Sequence, residues 1–244
     1  MSDQLKIQDS TVEDVMQPLY APIKRRSFFM YAGATAGATA LVLAGCSKND
    51  TVTPTGGTGG TVNLGAGDVG VLNYAYALEQ LEAAFYAQVV KTPASDFKAY
   101  ELDYFKQVAA HEAIHRDFFK AALTNVAKVM PIQGLTPDFS TITFTSRDSV
   151  LGAAKAFEDL GVAAYNGAGR LLKNAAYLVL AGKIVSVEAR HAAYIRDLIT
   201  PGSFAADDQV DPITGLDKAM APTDVVAIAG KYIKEKLNAD TVGK

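Results

Sequence analysis

From about Asp68 onward, apolar residues recur three and four positions apart, the spacing that keeps side chains on one face of a helix, and strand-like alternation is scarce. Four long helices follow from this pattern. The first runs from about Asp68 to Lys91 and stops at Thr92-Pro93, with Leu72, Tyr76, Glu79, Ala83 and Tyr86 in one row. The second, from about Ser95 to Val129, carries Phe105, Val108, Glu112, His115, Phe119, Ala122 and Val126. A connector over about residues 130 to 145, with Pro131, Gly134 and Pro137, is long enough to cross the length of a bundle. The third helix starts near Ser146, carries Leu151, Ala154, Glu158, Val162 and Tyr165, and loosens at Gly167 and Gly169. The fourth, from about Lys173 to Ile199, carries Ile184, Glu188, His191, Ile195 and Leu198 before Pro201 ends it. Residues 201–244 read as a loop and a short helix capped by Thr223, running through Val226, Ile233 and Leu237 and packing on the bundle. The predicted fold class is all-α: a four-helix bundle over residues 68–200 with a long crossover, followed by a C-terminal accessory helix.

Each row is apolar except near its middle, and the exceptions repeat. Glu79 is followed at seven residues by Tyr86, and Glu158 at seven by Tyr165; Glu112 is followed at three by His115, and Glu188 at three by His191. Both halves thus read Glu and then Glu-x-x-His, with 33 residues between the glutamates in the first half and 30 in the second. Residues i and i+3 lie on one helix face about 5–6 Å apart at Cβ, so each Glu-x-x-His can present a carboxylate and an imidazole to one cation. The single glutamates are left to bridge or to terminate. Four carboxylates inside a bundle are costly unless compensated, and two divalent cations cancel them. One Glu from each of two helices and a Glu-x-x-His from each of the other two is the donor set of carboxylate-bridged di-iron and di-manganese bundles. The expected metal ligands are therefore Glu79, Glu112, His115, Glu158, Glu188 and His191. The expected cofactor is a pair of divalent ions, iron first and manganese second, although affinity alone does not exclude zinc.

Composition narrows the chemistry further. The net charge is −3, from 23 basic and 26 acidic residues, which gives no electrostatic footprint for nucleic acid. With a single cysteine, Cys46, there is no internal disulfide framework and no Cys-rich metal knuckle. Three histidines, His111, His115 and His191, leave little material for a His-only site. Oxygen and imidazole must hold any metal.

His111-Glu112-Ala113-Ile114-His115 also matches the zinc-protease pattern H-E-x-x-H. Tyr104, Val108, His111, His115 and Phe118 form a second plausible inward row, so periodicity does not choose between the two readings. The missing partners do. The extended protease pattern needs a glycine at position 118 and a histidine at position 121, where this chain has Phe118 and Ala121. No glutamate occurs between Glu112 and Glu158, and a protease would leave Glu79, Glu188 and His191 unused. His111 is then expected beside the ligands rather than among them. Tyr86 and Tyr165 are expected as core aromatics that can also hydrogen-bond ligands. Glu82, three residues after Glu79, could be a ligand, but the Asn73 and Tyr86 spacing favours Glu79, and Glu82 is expected at the surface or just behind the ligands. Asp159, Arg190 and Arg196 could orient ligands or form ordinary surface pairs, and surface pairs are the expectation.

The first 67 residues read as address and tether. Lys24-Arg25-Arg26-Ser27-Phe28-Phe29 precedes an uncharged run ending at Leu43-Ala44-Gly45-Cys46. The paired arginines resemble a twin-arginine export signal, and the run's end resembles a bacterial lipoprotein box, so residues 1–45 would be the signal and Cys46 the lipid-bearing residue. The alternative is an uncleaved membrane helix over residues 28–45, which the many Gly, Ala and Thr residues disfavour. Residues 46–67, with Gly56-Gly57-Thr58-Gly59-Gly60, read as a flexible linker reaching roughly 25 Å. The expected location is the bacterial cell envelope, periplasmic or outer surface, held to a membrane by the lipid. Oligomeric state leaves no mark in the sequence.

The run Asn73-Tyr74-Ala75-Tyr76-Ala77-Leu78-Glu79-Gln80-Leu81-Glu82-Ala83-Ala84-Phe85-Tyr86 resembles the first helix of the ferritin-like superfamily, in particular exported ferritin-like domain proteins of the desiccation-related type. Phe157 to Tyr165 and Val187 to Ala192 are similar to its third and fourth helices, and the likeness covers about residues 69–200. Position by position, the resemblance implies the same six ligands. It does not imply one activity, because the superfamily spans ferroxidases, peroxide reducers, oxygenases and members with no established reaction. The expected chemistry is redox, with dioxygen or peroxide bound between the two metals and ferroxidase or peroxide-consuming activity in stress protection as its concrete form. The alternative is a non-enzymatic, desiccation-associated envelope protein in which the metal only stabilises the bundle. The zinc metalloprotease ranks last.

Overall fold

The computed structural model describes residues 60–244. The expected export signal, Cys46 and residues 46–59 of the expected linker lie outside the described residues. Folded structure begins before Asp68: Thr61–Asn63 (β1) pairs in parallel with Lys236–Asn238 (β2), and Leu64 is fully buried. Residues 61–64, expected within the linker, are therefore part of the fold.

Four long helices follow: α1 (Gly67–Lys91), α2 (Ala99–Ala121), α3 (Arg147–Gly169) and α4 (Ala175–Ile199). Three of the four starts have a local cause. The Glu101 carboxylate at the third position of α2 takes the Lys98 backbone N–H, the Ser146 hydroxyl accepts from the N–H of Ser149, and the Asn174 side chain accepts from that of Ala176. The Asp68 carboxylate accepts from the backbone of Lys173 and Asn174, tying the start of α1 to the start of α4.

Helices α1 and α2 form one hairpin, α3 and α4 the other. Contacts between residues 79 and 165 and between 86 and 158 show that α1 and α3 run antiparallel. As α2 is also antiparallel to α1, the α2–α3 connector must return along the bundle, as expected of a crossover. It lies on α1: Asn73 and Gln80 accept the backbone N–H groups of Ile132 and Leu135, and Phe139 and Phe144 pack edge-on or tilted against Phe85. This covering explains why α1 is buried nearly all round, Glu79 and Glu82 included, whereas α2 and α4 bury single stripes.

Two boundaries differ from expectation. The second segment turns into one π-helical stretch, Ala122–Val126, and ends at Lys128, which adopts φ 57° without being glycine; Val126, expected inward, is 64% exposed. The C-terminal helix α5 spans only Pro222–Ala229, with Pro222 in its first turn and Ala221 rather than Thr223 at its cap. Ile233 and Leu237 are buried, but in extended chain leading into β2. The last residues return to the start of α1, where the N–H of Gly67 donates to the Lys244 carbonyl.

Candidate metal centre

The middle turns of the four helices bring the six expected ligands together. Glu79 (α1), Glu112 and His115 (α2) and Glu188 (α4) form one group; Glu112, Glu158 (α3), Glu188 and His191 (α4) form another. Within each, the donor atoms lie within 4.8 Å of one another, and every contributing residue is buried except His115, which is partly so. Nδ1 of His115 is 2.8 Å from Oε1 of Glu188, 3.3 Å from Oε2 of Glu112 and 3.7 Å from Oε2 of Glu79. Nδ1 of His191 is 3.0 Å from Oε1 of Glu112, 3.2 Å from Oε2 of Glu188 and 3.5 Å from Oε2 of Glu158. Glu112 and Glu188 thus turn one oxygen to each imidazole. The carboxylates placed to span both groups are those of the Glu-x-x-His pairs, while Glu79 and Glu158 terminate one group each.

Only the contact of His115 Nδ1 with Glu112 Oε2 has the geometry of a hydrogen bond; the other short distances do not. Oε2 of Glu79, Oε1 of Glu112, Oε2 of Glu158, both oxygens of Glu188 and Nδ1 of His191 are buried with no hydrogen-bond partner among the described residues. A buried orphan acceptor costs about 1–3 kcal/mol, more when charged, and six clustered orphans need a common partner. Carboxylate oxygens and imidazole nitrogens converging on one point are the donor set of a cation site, so the residues fit the divalent ions the sequence implies.

Electrostatics carry the same strain. Burial pushes Glu79 well above the usual carboxylate range, and the charges of Glu188 and Glu112 add to it. Burial likewise lifts Glu158, to about 8. Burial acts on Glu112 in the same direction, but His115 and His191 outweigh it and hold that carboxyl at about 2. Burial would lower both imidazoles; carboxylate contacts reverse this, raising His115 to about 10 and His191 to about 12. Without cations, the imidazoles hold the protons that compensate the acids.

The surrounding residues hold the candidate ligands in place. The Tyr86 hydroxyl donates to Oε1 of Glu158, and the Tyr165 hydroxyl donates to Oε1 of Glu79. Each terminal glutamate is therefore held by a tyrosine from the other hairpin, a role beyond core packing. His111 stays outside both groups: its Nδ1 lies 3.0 Å from Nε2 of His191, with the rings stacked. That contact can fix the His191 tautomer that presents Nδ1 inward. The Tyr104 hydroxyl donates to the backbone carbonyl of His191, a contact with no clear sequence signal.

Among the neighbours, Glu82 takes the inner of its two expected places and Arg196 departs from the expected one. Glu82 is 4% exposed and enters neither group; an ideal Cβ on Gly161 would meet its Oε1 at 3.0 Å, so the missing side chain of α3 makes its room. Arg196 is buried, not a surface pair, and donates to both Asp159 and Asp208. Arg190 is exposed and bonds only its own helix, at Ser186.

No curated protein matches the chain. The family model of the ferritin-like domain matches residues 67–201, the span from the first residue of α1 to just beyond α4. The chain belongs to the ferritin-like domain family.

Proposed function

We propose that this is a di-metal carboxylate protein of the bacterial cell envelope that oxidises ferrous iron or consumes peroxide in protection against stress. The observation that carries it is the pair of overlapping four-residue groups joined by Glu112 and Glu188. Two ferrous ions, when held there, would supply the two electrons that, with two protons, reduce dioxygen to hydrogen peroxide, or hydrogen peroxide to two waters. The chain's own part is to hold the donors in register. Glu112 and Glu188 reach both groups, Glu79 with His115 and Glu158 with His191 complete one each, and Tyr86, Tyr165 and His111 restrain the ligands behind them.

A purely structural metal site is the second reading, favoured by the zero exposure of Glu79, Glu112 and Glu158. Anaerobic loading of the purified protein with ferrous iron, followed by dioxygen or peroxide, separates the two. Oxidation well above the rate of free iron is expected; a rate no faster than free iron would leave only the structural role. The zinc-protease reading loses support because His111 faces His191 and enters neither group.

The proposal includes export by the twin-arginine route and a lipid on Cys46, supported by the sequence of residues 24–46. Among the described residues no helix is long and apolar enough to cross a membrane. Replacing Arg25 and Arg26 with lysine is expected to block export, and Cys46→Ser to release the exported protein from the membrane fraction. Normal export of the lysine variant would overturn the twin-arginine route.

A further inference from the structure

The two sides of the metal centre are packed differently. On the Tyr86 side, rings close the bundle: Phe85 meets Tyr86 at 5.0 Å and Phe157 at 4.9 Å between centroids, and Phe105 meets Phe97 at 5.1 Å. On the Tyr165 side there is a cavity of about 30 Å³, lined almost wholly by apolar atoms, with Ala75, Leu78, Phe119, Ala164, Tyr165 and Ala181 among its walls. These walls adjoin one of the two ligand groups. Ala75 is one helical turn before Glu79, Phe119 one turn after His115, and the hydroxyl of Tyr165 donates to Glu79. At its other end the wall includes Tyr177 and Leu180 from the first turns of α4, where Leu180 is 37% exposed.

A space of this size holds about one small molecule, and an apolar lining offers water too few partners to retain it. A polar hydroperoxide would lose its hydrogen bonds on entry, at a cost of several kcal/mol per unpaired group. Dioxygen has none to lose. We propose that this cavity is the path by which dioxygen, in preference to hydrogen peroxide, reaches the Glu79–His115 side of the metal centre. The proposal deepens the redox reading above and rests on it for its physiological meaning.

The test uses the purified full-length chain and its Ala181→Phe variant, which places a ring at the rim where Ala181 is only partly buried. Val179→Phe, on the exposed face of α4 and outside the cavity wall, is the control. Xenon-pressurised crystals are expected to show xenon in the cavity of the wild type and the control, and none in Ala181→Phe. Nitric oxide, an apolar diatomic that binds ferrous iron without turnover, is expected to associate roughly tenfold more slowly with the iron-loaded Ala181→Phe variant. Oxidation by dioxygen should slow to match, while iron stoichiometry and oxidation by peroxide stay as in the wild type. Should Ala181→Phe fold poorly, Ala181→Leu carries the same comparison with a smaller effect.

Absence of xenon from the wild-type cavity would overturn the path. So would an unchanged nitric oxide rate in a variant that excludes xenon, or equal slowing with both oxidants. A wild-type protein whose nitric oxide binding depends on Ala181 but which oxidises no iron would sink the redox reading and leave the gas path standing.

Discussion

At the scale of single residues, the tyrosine contacts offer the sharpest test of how the centre is held. Tyr165→Phe removes the hydrogen bond to Glu79 while keeping the ring, and Tyr86→Phe does the same for Glu158. Each is expected to weaken binding of one cation about tenfold, the size seen when support behind a metal ligand is lost, with little change in melting temperature. Metal titration monitored by calorimetry reads the effect, and unaltered affinity in both variants would show the contacts to be incidental. The convergence of the six Glu and His residues was legible in the sequence because a polar residue in the middle of an apolar helical row has no cheap explanation, and four such rows share one pattern. Glu82 was not, because its burial is decided by Gly161 on another helix. Nothing in the sequence of α1 separates it from a solvated charge. Arg196 was hidden for the same reason: its partner Asp208 lies in the loop beyond α4, whose path local spacing does not reveal.

At the scale of elements, the helices were readable and the way they end was less so. The spacing of four between Ile233 and Leu237 suits a helix and equally a strand, in which every second residue faces one way. The deciding partner is β1, far away in sequence. The docking of the C-terminal loop on α3 depends on one position that cannot carry a side chain. An ideal Cβ on Gly167 would fall 1.8 Å from the Met220 carbonyl oxygen, next to the bond from the Met220 N–H to the Ala163 carbonyl. Gly167→Ala must push this backbone away, so a loss of more than about 2 kcal/mol is expected in chemical unfolding. Gly152→Ala, with no atom within 4 Å of the added carbon, serves as the harmless control.

Over the whole molecule, two buried or partly buried arginines join distant segments through ion pairs. Arg147 donates to Glu101, linking the starts of α3 and α2, and Arg196 joins α4 to Asp159 on α3 and to Asp208 in the following loop. Arg196 holds the Asp208 carboxyl down at about 2. At Glu101, burial works upward, but the Arg147 contact and the backbone of Lys98 leave the carboxyl below its ordinary value. Groups lowered by folding contribute stability that is fully present above the ordinary carboxylate range and is lost as pH falls through the folded value. Melting temperature is therefore expected to fall between about pH 4 and pH 2, with a shallower fall in Asp208→Asn; identical profiles would remove Asp208 from the account. The effect should be modest because Asp208 is largely exposed.

Each four-residue group takes three donors from one hairpin and its fourth from the other: Glu188 completes the set of Glu79, Glu112 and His115, and Glu112 completes the set of Glu158, Glu188 and His191. A cation bound there would rivet the hairpins together. Its residence time would then be set less by the lability of individual carboxylates than by how often the two hairpins part. Exchange of metal with the surroundings becomes a rare opening event of the fold, slow even where equilibrium affinity is moderate.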